Sequence, residues 1–185
     1  LALRAGTSAT VPEFADTSNT ALPNGSLIRG AYLENILATE EQVLSTSNSF
    51  LEVENVFNNS GRIGGFFAEG ETGTGTVTQA NNPSNQFVTT QSFSTIVEQG
   101  GVFASIDSID DNVVPGGVQV FLWVFNAPIL ADATEWGIYT SSNWQTSEGI
   151  GTTTLSSSVI DPNNGGTIYR GSFDAGNGQV LTSAV

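Results

Sequence analysis

The chain has 185 residues, with 18 Asp or Glu against four Arg, no Lys, no His, no Cys and no Met, for a formal net charge of −14. That balance lacks the basic footprint of a nucleic-acid binder and disfavours anionic membrane surfaces. Without His, Cys and Lys there can be no disulfide, thiolate or imidazole metal site, Ser-His-Asp or Cys-His triad, or Schiff base. A 38% hydrophobic content is enough for one domain over residues 1–185, and no apolar run approaches the roughly 20 residues of a membrane-spanning helix.

Leu1, Leu3, Ala5, Ala9 and Val11 lie on one side of an extended segment, so residues 1–11 are predicted as a strand that ends at Pro12. Pro23-Asn24-Gly25 predicts a turn and residues 26–33 a second strand. Two helices follow. In residues 34–44, Ile36, Leu37, Val43 and Leu44 form an apolar stripe, with Thr39 placed to cap the acidic turn Glu40-Glu41. In residues 49–58, Phe50, Val53, Val56 and Phe57 recur with helical spacing; Ser49 and Glu52 have capping-box spacing, and Gly61 is the stop.

Beyond Gly61 the helical period is lost. Residues 62–68, 74–78, 86–97, 102–106, 118–125, 134–140, 151–156, 167–173 and 179–184 are predicted strands, separated by breaks rich in Gly, Asn, Pro and Asp. The prediction is a mainly β fold, an antiparallel β-sandwich with one or two short helices.

Carboxylates are the remaining catalytic chemistry. Glu135 beside Trp136 suits a glycosidase only if a second acid faces it; otherwise Trp136 packs in the core and Glu135 points to the opposite side. Asp107, Asp110 and Asp111 precede a Pro-Gly-Gly turn, and Asp161 and Asn163 form a second oxygen-rich loop. Hard oxygen ligands in loops suit Ca²⁺, and the same residues are ordinary turn formers. Trp123 is expected in the core. Trp144, in the polar run Ser142-Asn143-Trp144-Gln145, is expected to be the exposed tryptophan and, with Tyr139, a candidate glycan contact. Asn24-Gly25-Ser26 and Asn58-Asn59-Ser60 fit the N-glycosylation pattern, which is too short to carry much weight. The first strand either pairs in its own sheet or joins a neighbour's by strand addition, which makes Leu1, Leu3, Ala5, Ala9 and Val11 candidate subunit contacts.

The runs FLWVFNAP, ATEWGIYTSSNW, TTTLSSS, IYRGSF and LTSAV, together with LPNGSLIR nearer the start, resemble PEP-CTERM sorting-domain proteins of Gram-negative bacteria. The resemblance implies a secreted or surface protein with a role in extracellular matrix, biofilm or surface layers. It also implies a Pro-Glu-Pro tail processed by an exosortase, so the chain is expected to be the mature domain without that tail. The absence of Met is expected to reflect removal of a secretion signal. The functional expectation is a non-enzymatic structural protein, a filament or polymer subunit built by strand addition. The alternatives are a Ca²⁺-dependent carbohydrate-binding module and, third, a carboxylate-dependent glycosidase. Expected partners are copies of the chain or an extracellular polysaccharide.

Overall fold

The computed structural model describes residues 2–6, 14–20, 22–23, 25–58, 62–71, 115–146, 152–156, 162, 165–174, 178–180 and 182–183. The predicted strands at 74–78, 86–97 and 102–106 lie outside these residues. The fold is mainly β and sandwich-like, with two short helices.

Its main sheet is built on β3 (Leu27–Leu33), β4 (Gly64–Glu71), β5 (Gln119–Phe125) and β6 (Glu135–Gln145). β5 lies between β3 and β6, and β4 pairs with the far side of β3, all antiparallel. β6 is long enough to take two partners on its outer side: β11 (Thr182–Ser183) pairs at its start and β8 (Gly166–Arg170) farther along. β3 is buried at every position and β5 at all but its first, because both faces of the sheet are covered. A strand in that position needs apolar side chains on both sides, which is why Val118–Phe125 carries no polar alternation.

One face is covered by α1 (Ala38–Thr46) and α2 (Phe50–Phe57). Leu27, Ala31 and Leu33 of β3, Phe121, Trp123 and Phe125 of β5, and Trp136 and Ile138 of β6 meet Leu44, Val53, Val56 and Phe57 there. Phe50 holds the layers together, its ring 5.6 to 6.1 Å from those of Trp123, Phe125 and Trp136. The opposite face meets β2 (Phe14–Ala15), whose Phe14 ring lies 5.4 Å from Tyr139. β2 belongs to a small sheet with β9 (Ser172–Asp174) and β10 (Gly178–Val180). Asp16 Oδ1 accepts from the Ser18 and Thr20 amides and folds the turn after β2, and from that turn Thr17 donates to both carboxylate oxygens of Glu135.

The capping chemistry differs in part from expectation. α1 begins one residue before Thr39, and its first turn is closed by Glu40, whose Oε2 accepts from the Leu37 amide at 2.9 Å. Thr39 lies inside that turn, so its hydroxyl cannot serve the free amides ahead of it. At α2, Ser49 accepts from the Glu52 amide as predicted. The return arm runs through Ser47: its hydroxyl donates to Glu52 and accepts from the Ser49 amide.

The predicted strand 167–173 is two strands, β8 and β9, broken at Gly171, whose φ of 103° is a left-handed conformation that favours glycine. Two pairings are parallel, which the sequence did not indicate: β2 with β10, and β1 (Ala2–Gly6) with β7 (Thr152–Ser156). Alternation identifies a strand but carries no information about a partner 150 residues away.

Candidate functional site

The features with functional content are the β1–β7 ladder, the use made of the charged side chains, and the surroundings of the expected ligand-contact residues.

β1 and β7 form a two-stranded parallel sheet in the register Ala2↔Thr152 through Gly6↔Ser156. Leu3 and Ala5 are therefore in the ladder; Leu1, Ala9 and Val11 lie outside the described residues. Among the described residues no third strand joins either outer edge of this pair. Parallel ladders normally sit inside larger covered sheets, and a two-stranded unit has little stability of its own. Its free backbone groups are a template for a further strand.

Three of the four arginines are committed to structure in ways the sequence did not announce. Arg29, on the helix-facing side of β3, donates from Nη1 to Glu54 Oε1 of α2 at 2.6 Å, and its side chain is 1% exposed. Its guanidinium also lies 5.7 Å from the ring centres of Phe66 and Trp123. Arg62 pairs with Glu40 and donates to the Asn35 carbonyl at 2.6 Å, tying the start of β4 to the segment ahead of α1. Arg170 lies 3.8 Å over the Trp136 ring and donates to the Ser47 carbonyl and to Asn48 Oδ1, which fastens β8 to the connection between the helices. Burial lowers its pKa from the ordinary arginine value. The detectable signal was charge at core-facing positions: Arg29 shares its side of β3 with Leu27, Ala31 and Leu33, and Glu54 stands beside Val53.

Glu135 and Trp136 take opposite faces of β6. Trp136 is fully buried against the helices, while both oxygens of Glu135 accept from Thr17. The carboxylate thus acts as a tie between the main sheet and the turn after β2. Trp144 and Tyr139, expected as glycan contacts, are both 0% exposed. This corrects the sequence reading. Trp144 turns inward between exposed Asn143 and exposed Gln145, so the polarity of its neighbours describes their environment and not its own. Tyr139 packs on Phe14 and its ring crosses Gly137, where a Cβ would stand 2.4 Å from the phenol oxygen. Burial holds the Tyr139 phenol far above its ordinary pKa. Neither ring has a free face to stack on a sugar.

Asp107, Asp110, Asp111, Asp161 and Asn163, the candidate Ca²⁺ ligands, lie outside the described residues. Among the described residues no group of three or more acidic side chains is arranged to hold a metal ion. No helix among them is long and apolar enough to cross a membrane. No family model, curated protein or solved structure matches the chain.

Proposed function

We propose that this protein is a secreted, non-catalytic structural component of a bacterial cell surface or extracellular matrix. It would belong with the PEP-CTERM proteins that it resembles over most of its length and would self-associate by exchange or addition of its first strand. The observation that carries the reading is the β1–β7 ladder, a parallel pair with no further partner among the described residues. A β1 donated to another copy would form the same five residue pairs with that copy's β7. Exchange therefore substitutes identical contacts, and the balance between closed and exchanged forms depends on the connection between β1 and β2 and on concentration. Reciprocal exchange yields a closed dimer, whereas head-to-tail donation yields an open filament.

The composition supports the same reading. A net charge of −14 with no Lys keeps copies soluble and apart at low ionic strength. Salt or divalent cations screen that repulsion and favour assembly. The experiment is sedimentation of the full chain and of a variant lacking residues 1–6, across a range of protein and salt concentrations. The full chain is expected to associate more strongly as either rises, and the shortened chain to stay monomeric. A full chain that sediments as a monomer at high concentration in screening salt would remove the reading.

A further inference from the structure

The main sheet is interrupted where β6 passes β8. Phe121 pairs with Thr140, yet the next registered pair on the same two strands is Gln119 with Gln145, so four residues of β6, Ser141 to Trp144, are set against one of β5, Val120. The surplus segment turns toward β8, where the Ser142 amide donates to the Gly165 carbonyl at 3.0 Å. Disruptions of this kind re-aim side chains and often border functional sites. Here the disruption borders a cleft of about 360 Å³ on the helix-bearing side, closed at its far wall by the segment between β3 and α1.

The lining is specific in its chemistry. Its base is aromatic: Phe121 and Tyr169 lie with ring centres 6.0 Å apart, and Tyr169 is only partly buried. Around them stand neutral hydrogen-bonding groups and one carboxylate, Glu34. Gln119 is fixed, since its Nε2 donates to Thr140 Oγ1 at 2.7 Å and to the Ser141 carbonyl. That clamp leaves its Oε1 to accept from something else. Among the described residues no hydrogen bond engages that oxygen or the Glu34 carboxylate. Ser142 and Thr167, both exposed, also line the cleft. The far wall is held by Arg62 bonding to the Asn35 carbonyl and by the Glu34 amide bonding to the Ile63 carbonyl at 2.9 Å.

We infer that this cleft binds a neutral saccharide, one or two sugar rings in size. A ring stacked on Tyr169 would present hydroxyl donors to Glu34 and to Gln119 Oε1, with the Ser142 and Thr167 hydroxyls completing its shell. Among the described lining residues an anionic ligand has no cation to meet and would face Glu34. A small cation could use Glu34 but would leave the amide and hydroxyl groups unsatisfied. The inference stands apart from strand exchange, because the cleft is formed by β3, β5, β6 and β8 of one chain.

The test is calorimetric titration of the full chain with a panel of neutral mono- and disaccharides (glucose, galactose, mannose and N-acetylglucosamine forms), with choline and inorganic phosphate as controls. Binding of at least one sugar is expected at up to millimolar dissociation constants. Glu34→Gln should weaken it about tenfold, the loss expected for one charged hydrogen bond. Thr167→Trp, at an exposed strand position, should fill the cleft and abolish binding with unchanged circular dichroism. Absence of binding to every sugar would overturn the inference. So would binding of choline or phosphate in their place, or sugar binding that both variants leave intact.

Discussion

The buried Arg29–Glu54 pair gives the sharpest test of how the helices are held to the sheet. Arg29 sits at 1% side-chain exposure and Glu54 at 10%, with 2.6 Å between Nη1 and Oε1. In Arg29→Met the Glu54 carboxylate keeps its burial and loses its cation. Breaking a buried pair from one side costs about 3–5 kcal/mol. Lost attraction to the Phe66 and Trp123 rings contributes to that figure, at about 0.5–2 kcal/mol for desolvated contacts of this kind. Such a loss is a large share of the roughly 5–15 kcal/mol that stabilises an ordinary domain. Arg29→Met/Glu54→Met removes both charges and leaves apolar side chains against Phe66 and Trp123, so it should recover most of the loss. Urea unfolding of the parent, both single variants and the double variant closes the cycle, with an expected coupling of more than about 3 kcal/mol, since each single cost of about 3–5 kcal/mol is largely absent from the double variant. A single-variant cost below about 1 kcal/mol, or costs that simply add, would refute the argument that this pair is a desolvated unit between β3 and α2.

Other consequences follow from packing, capping and titration. Gly137→Ala puts a Cβ within 2.4 to 2.6 Å of three Tyr139 ring and hydroxyl atoms and should cost about 1–3 kcal/mol, read as a lowered melting temperature; an unchanged melt would show that Tyr139 does not lie across Gly137. Ser49→Ala removes the acceptor for the Glu52 amide and should cost about 1 kcal/mol in urea unfolding. All three tyrosines of the chain, Tyr32, Tyr139 and Tyr169, have pKa values raised by burial, with Glu41 adding to the rise at Tyr169. An unfolded phenol ionises near pH 10. Stability from keeping these phenols neutral is therefore full below about pH 10 and falls as pH rises above it. The fully buried Tyr139 phenolate should appear only together with unfolding; a Tyr139 phenol that titrates near pH 10 in the folded chain would contradict its buried placement.

Much of the fold was legible because its strongest elements repeat a pattern. β3, β5 and α2 fall within a residue or two of their predicted limits, since apolar runs and helical spacing are local properties. β6 was predicted to stop at residue 140 but runs to Gln145: Ser142, Asn143 and Gln145 are exposed and polar, and that polarity resembled a strand end. β2, two residues long, is too short to show any period. The expected site suffered from the same locality. Trp144 was judged by its neighbours, whereas its burial depends on how β6 turns inward past β5. The role of Arg29 was not legible because its partner, Glu54, lies 25 residues away on a helix. The cleft at Gln119 and Tyr169 arises from strand register, which no local run of residues reveals.

The central claim concerns where β1 goes. The chain contains no Cys, so introduced thiols report cleanly. Leu3 and Thr153 are registered partners of the β1–β7 ladder. Leu3→Cys and Thr153→Cys variants, made on separate chains, mixed in screening salt and oxidised, test for exchange directly. The account predicts a disulfide-linked dimer of one chain of each kind, forming faster as concentration rises, while the double variant on one chain gives both internal and intermolecular bonds. A mixture that yields no cross-linked heterodimer, with the double variant closing only on itself at every concentration, would contradict it.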